Sequence, residues 1–383
     1  MDERTRLIRG ATRRPSSRRI VNPPIERGTT LLNARAADLH DASRGPTYGI
    51  DGAGVHRALE QAMAELEGAR QVFLVPTGLA SVTVAAMAVL RPGDEILVVD
   101  AVYGPTRRFF EREMKRWSVG VRFYPAGAGP AEILALAGSA TRAVLIESPA
   151  SLTFEMTDVA ALASGARERG LVSLMDNTWA AGALYKPLDH GVDISVQALS
   201  KYVGGHSDVF LGSIATNGDT HARRLSAVIE DLGWYVSPDD AWLALRGLRT
   251  LPVRLAQHER GARQVAEWLE RQPQVQRVLW PALPSFDGHH LWKRDYVGAS
   301  GLMGVVLANG PAAAAEALLD RLDLFGLGFS WGGFESLATF ETPQLARRRH
   351  QQDLGGPLVR LHIGLEAPED LIADLGQALA PYP

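Results

Sequence analysis

The chain has 383 residues, 46% of them hydrophobic and 22% charged, with a formal net charge of −3 and no cysteine. That length predicts two or three domains with a sizeable core, and the near-neutral charge gives no reason to expect a nucleic-acid or acidic-membrane partner. The lack of cysteine excludes disulfides, thiolate metal sites and cysteine nucleophiles, and it fits a reducing, cytoplasmic setting.

Residues 1–55 read as an irregular arm rich in Pro, Gly and Arg, with turn signals at Asn22-Pro23-Pro24 and Gly45-Pro46. Seven arginines precede Val21, but Asp2 and Glu3 open the segment and no apolar face accompanies it. It is read as a solvated arm at a subunit interface rather than a transit peptide. A helix begins near Val55, where Leu59, Met63 and Leu66 recur at helical spacing, and Gly68 stops it. Short apolar runs follow at Gln71–Val75, Glu95–Val99, Ala143–Ile146, Val172–Met175 and Ile194–Leu199. Helical stretches at Leu79–Leu90, Pro105–Arg116 and Val159–Glu168 separate several of them, and Val209–Ala215 reads as one more strand. This alternation predicts a parallel sheet covered on both faces. The longest clean apolar run, Val82 to Leu90, has the length of a buried helix, not of a membrane span. Beyond Asn217 the pattern predicts a long helical region over Asp239–Leu269 kinked at Pro252, then a turn-rich patch from Pro281 to Gly288. A strand (Leu302–Leu307), an Ala-rich helix (Ala312–Leu322), a strand (Val359–Ile363) and a final helix (Pro368–Leu379) complete the chain. The expected organisation is an arm over 1–55, a large α/β domain over 56–237 and a smaller α+β domain over 238–383.

In open α/β sheets, ligands bind outside the carboxyl ends of the strands. Pro76-Thr77-Gly78-Leu79-Ala80-Ser81 follows the first strand, and small residues there let N–H groups at a helix start approach a phosphate. An ordinary strand-to-helix turn reads the same way. Asp176 ends the Val172–Met175 strand, as a helix cap or as the carboxylate that keeps a pyridine nitrogen protonated. Ser200 and Lys201 follow the Ile194–Leu199 strand. A desolvated lysine there has a lowered pKa and can attack a carbonyl, while Ser200 offers a hydroxyl to a phosphate. Tyr103, after the Glu95–Val99 strand, suits stacking on a planar ring. Ser330-Trp331-Gly332-Gly333 and Arg360 lie in the smaller domain, with Arg360 able to fork to a carboxylate. Each residue has a bland reading alone, but together they fill one end of one sheet. No metal site is read, and Gly49–Gly54 fails as a dinucleotide loop because no apolar strand precedes it.

These residues resemble the Cys/Met-metabolism family of pyridoxal-phosphate (PLP) enzymes, from about Thr5 to Gln377. The most specific stretches are Ala62–Gly68, Glu147-Ser148-Pro149, Asp176–Gly182, Ser200–Asp208, Ser330–Ser336 and Arg360–Glu366. The resemblance implies the fold-type-I, aspartate-aminotransferase-like α/β fold, with a large mostly parallel sheet domain and a smaller C-terminal α+β domain. It also implies roles. Lys201 resembles the Schiff-base lysine that moves the α-proton, Asp176 the pyridinium partner and Tyr103 the stacking tyrosine. A phenol close to the cationic centre is expected to titrate low enough to assist proton transfer. Gly78, Leu79 and Ser200 resemble the phosphate cup, and Tyr48 the tyrosine that reaches a neighbouring subunit's phosphate. Ser330, Trp331 and Arg360 resemble the substrate-carboxylate site. The family is usually tetrameric, built from dimers that share active sites.

Relatives acting at the γ-carbon usually have Leu where this chain has Trp331, and Trp resembles the β-eliminating branch. The implied reaction is a carbon–sulfur β-elimination on cystathionine or a similar cysteine thioether, giving homocysteine or another thiol, pyruvate and ammonia within methionine synthesis. The alternatives are γ-elimination, γ-replacement or a non-catalytic relative. Two departures stand out. Ile50 occupies the position of a phosphate-binding Arg, and Ala198 that of a second hydroxyl. A hydrogen bond to a charged group is worth roughly 1.5–3 kcal/mol, so a looser phosphate grip is expected unless Arg44 or Arg57, which flank the same loop, substitutes.

Overall fold

The computed structural model describes residues 2–9, 20–39, 41, 45–308, 310–351 and 353–383. The apolar runs between residues 71 and 216 pair into a seven-stranded sheet. Its strands are β1 (Gln71–Val75), β2 (Glu95–Val99), β3 (Gly120–Tyr124), β4 (Thr141–Glu147), β5 (Val172–Asp176), β6 (Ile194–Ala198) and β7 (Gly212–Thr216), in the order β1-β7-β6-β5-β4-β2-β3. β7 runs antiparallel to both neighbours, and the other strands run parallel. The parallel strands therefore end on one edge, where β4 and β5 finish in register at Glu147 and Asp176.

Helix Gly78–Val89 follows β1 and packs against β6, β7 and helix Asp219–Leu232. Nine of its twelve residues are buried, which accounts for an apolar sequence on every side. A second, five-stranded sheet comprises β8 (Val275–Leu279), β9 (Leu302–Leu307), β10 (Gly326–Leu327), β11 (Leu337–Phe340) and β12 (Leu358–His362), in the order β10-β11-β12-β9-β8. Its pairs are antiparallel except β10 with β11. Helices Leu251–Leu269 and Pro368–Leu379 pack together beside it. Among the described residues no helix is long and apolar enough to cross a membrane.

Three expectations change. The arm carries a helix, Glu3–Arg9, whose Leu7 is buried and which packs on helix Gly54–Glu67; residues 10–19, with several of the arginines, lie outside the described residues. The long helical region is two helices, Pro238–Leu248 and Leu251–Leu269, broken at Arg249-Thr250. Pro252 sits in the first turn of the second helix, where a missing N–H costs no hydrogen bond, so it marks a start rather than a kink. Strands β3, β8, β10 and β11 and helix Asp219–Leu232 were not anticipated.

Candidate active site

At the carboxyl edge of the seven-stranded sheet lies a cavity of about 340 Å³. Gly78, Leu79, Tyr103, Asp176, Ser200, Lys201, Trp331 and Arg360 all line it. Ser330 joins them through the lysine, whose Nζ donates to Ser330 Oγ at 2.6 Å.

The first wall is the turn after β1. Thr77 caps helix Gly78–Val89 by accepting from Ala80 N at 3.0 Å. The leading N–H groups at Gly78 and Leu79 have no carbonyl one turn earlier to bond, which suits an anion. Glycine is needed at 78 because a Cβ there would lie 2.3 Å from Ala198 Cβ. Ala198 thus packs against the start of this helix.

The floor carries two carboxylates. Asp176 Oδ1 accepts from Thr178 N at 3.0 Å and from Thr178 Oγ1 at 2.5 Å. Burial pushes the Asp176 carboxyl above its ordinary value, against the pull of those two bonds and of Lys201. Glu147 stands beside it in register and lines the same cavity, accepting from Tyr103 N at 2.8 Å. Burial, and then the neighbouring Asp176, push Glu147 well above the carboxylate range. Two like charges this close cannot both ionise cheaply. Asp176 accepts two bonds from Thr178 and Glu147 one from Tyr103, so Asp176 is the better supported as an anion and Glu147 is pushed further toward its neutral form.

Lys201 emerges from β6 into this floor. Burial, with Arg360 second, pulls its amine down to about 8, while Asp176 opposes the shift. Trp331 covers it, with Nζ 5.5 Å from the ring centroid. Arg360 rises from β12 in the second sheet, its guanidinium 3.4 Å from the buried Glu341 and 3.4 Å from the carbonyl of Ser330. Ser330 itself takes φ +106°, a strained conformation for a residue with a Cβ.

The Tyr103 phenol does not titrate low in the protein alone: burial, Asp176 and Glu147 push it above its ordinary value. Tyr48 does not line this cavity. It is half exposed on a loop tied together by Asp51, whose carboxylate accepts from Thr47 N and Tyr48 N at 2.9 and 3.0 Å. Arg57 lies beside that loop, donating to Asp51 O and Glu60, and lines a separate cleft with Ile50. Arg44 lies outside the described residues. Glu147 and Thr178 are members of the site that the sequence reading did not single out. The available signal was position: each lies at or just beyond the carboxyl end of a strand in this sheet.

The profile described as "Cys/Met metabolism PLP-dependent enzyme" matches residues 4–380. "Cystathionine beta-lyase" of Bordetella avium is 46% identical over 94% of this chain and 92% of its own length. "L-alanine/L-glutamate racemase" of Wolbachia pipientis is 35% identical over 100% of this chain and 98% of its own. The crystal structure of metB from Corynebacterium glutamicum superposes with a TM-score of 0.92 at 31% identity, covering 99% of this chain and 98% of that one.

Proposed function

The chain belongs to the Cys/Met metabolism family of PLP-dependent enzymes, and from that premise we propose that it is a carbon–sulfur lyase of the cystathionine β-lyase type, with its cofactor attached to Lys201. The observation that carries this reading is the single cavity that joins a readily deprotonated lysine to a buried carboxylate, a helix N-terminus and an aromatic face. The donor set fits pyridoxal phosphate. Lys201 would hold it covalently, Asp176 would face its pyridine nitrogen, Gly78, Leu79 and Ser200 would cradle its phosphate, and Tyr103 would lie on its ring. When bound, the cofactor supplies an electron sink for charge developed at the substrate α-carbon.

The chain's own groups then have distinct tasks. Arg360 binds the substrate carboxylate as a fork, held in place by Glu341 and the Ser330 carbonyl. Lys201 Nζ, neutral above about pH 8 in the protein alone, takes the α-proton. Ser330 Oγ steers that amine, and Trp331 shields it from water. Asp176, supported by its two bonds from Thr178, would supply the negative charge facing the ring nitrogen. Loss of a thiolate from the β-carbon, followed by hydrolysis, gives pyruvate and ammonia. With cystathionine the thiol is homocysteine, which places the reaction in methionine synthesis.

Incubation with cystathionine tests this by its products. Pyruvate is expected. Mainly 2-oxobutyrate would make the enzyme a γ-lyase, and a D-amino acid without keto acid would match the racemase-named relative. A cytoplasmic homotetramer is part of the same proposal. Phe210, which lines the cavity, and Phe329, next to Ser330, are 78% and 80% exposed, and the Tyr48 loop with Arg57 would reach a neighbour's phosphate end. Sedimentation of the purified chain as a monomer would contradict that part.

A further inference from the structure

Behind the Trp331 loop lies a buried cluster that the mechanism above does not use. His362, at the end of β12, is 1% exposed, and His258, on helix Leu251–Leu269, is fully buried. Their ring centroids are 5.2 Å apart, and they lie 5.8 and 5.2 Å from the ring of Tyr202, the residue after the lysine. Trp331 packs on the same tyrosine at 5.5 Å. His258 Nδ1 is 2.8 Å from the carbonyl of Ile363. His362 Nε2 is 3.1 Å from both Gly332 N and the Gly333 carbonyl. A neutral imidazole ties down this glycine pair in either tautomer, accepting from Gly332 N–H or donating to Gly333. An imidazolium would turn an N–H against Gly332. Burial holds both rings neutral, pulling His362 down to about 3 and His258 to about 4.

The glycine pair needs this anchor because of where it sits. Gly332 has φ +86°, and a Cβ there would meet Tyr202 N at 2.7 Å and the Lys201 carbonyl carbon at 2.9 Å. The loop therefore lies directly on the lysine's backbone, between strained Ser330 and an unbranched glycine turn with no side chain of its own to fix it. Arg360 and His362 are two residues apart on β12 and so leave the same face of the strand.

We propose that His362, backed by His258, is a positioning residue for the loop Ser330–Gly333, holding Trp331 over Lys201 and so helping to set elimination at the β-carbon. Strand β12 then supplies both the substrate-carboxylate fork and the anchor of the loop above it. The part concerning the β-carbon rests on the function proposed above, whereas the anchoring of the loop does not.

Two readouts test it on the cofactor-loaded protein. Amide hydrogen exchange over 330–333 should be slow in the wild type, roughly tenfold or more faster in His362→Leu, and restored in His362→Gln, whose amide can reach the same glycines. In kinetics, His362→Leu should lower kcat/KM for pyruvate formation by roughly tenfold. In a double-mutant cycle with Trp331→Phe the two losses should be less than additive, because one acts through the other. Unchanged exchange in His362→Leu, or losses that add as independent effects, would overturn the proposal. If His362→Leu does not fold, the Gln variant decides, since exchange or turnover far from wild type there would also overturn it. A wild type that makes no pyruvate would defeat the β-lyase reading, and the exchange comparison would still judge the anchor.

Discussion

A lysine amine enclosed beside Asp176 and Arg360 gives up its proton more readily than one in water, because burial penalises the charged form. The same burial raises Asp176, with Thr178 and the lysine pulling the carboxyl back down. Asp176→Asn keeps the shape and removes the charge. We expect it to retain cofactor but lose about 100-fold or more in kcat, by analogy with the removal of one preorganised electrostatic contact. Steady-state turnover beside cofactor absorbance checks this, and near-normal kcat would contradict the role given to Asp176. Lys201 and Asp176 were legible in the sequence because each directly ends or follows a strongly apolar run. The Glu147-Ser148-Pro149 stretch was legible as part of the resemblance, but the place of Glu147 beside Asp176 was not, since it depends on the register of β4 and β5. In the protein alone burial, and then two carboxylates that belong to other strands, raise the Tyr103 phenol, which no local sequence signal gives.

At the scale of elements, helix Gly54–Glu67 docks its last residue into the protein interior. Glu67 is 1% exposed, accepts from Ser195 Oγ at 3.0 Å, and burial raises its pKa to about 7. Its place at a helix C-terminus adds to the cost of a negative charge. An acid raised in the folded state costs nothing below its unfolded pKa near 4.5, lowers stability as pH climbs from there to about 7, and carries the full deficit above that. Glu67→Gln should therefore unfold like the wild type near pH 4.5 and be more stable by roughly 3 kcal/mol above pH 7. Urea unfolding at the two pH values checks this, and a pH-independent difference would contradict it. Element boundaries were readable where Gly or a cap marked them, as at Gly68, which takes a left-handed C-cap. The break at Arg249-Thr250 was not readable, because its cause is tertiary. A Cβ at Gly247 would lie 2.2 Å from the carbonyl of Gly204, and Arg254 donates to Tyr202 O and Gly247 O at 2.7 Å each. The paired helices thus clasp the loop that carries Lys201. The antiparallel course of β7 was also missed. No helix separates it from β6, and a parallel neighbour would need a longer crossover.

Across the whole molecule, the seven-stranded sheet brings the carboxyl ends of its six parallel strands to one edge, and the five-stranded sheet lowers Arg360 and the Trp331 loop onto it. The alternation of strands and helices made this architecture legible. Tyr48 lies on an irregular loop outside the chain's own cavity, a placement that periodicity does not give. The chain has four lysines, Lys115, Lys186, Lys201 and Lys293, and Lys201 is the one that lines the cavity among the described residues. That makes the central claim open to direct measurement. The purified, cofactor-loaded protein is reduced with borohydride, digested and mapped by mass spectrometry. The account predicts a reduced pyridoxyl group on Lys201 and on no other lysine. A label on Lys115, Lys186 or Lys293 instead, or no label on a protein that has bound the cofactor, would contradict it.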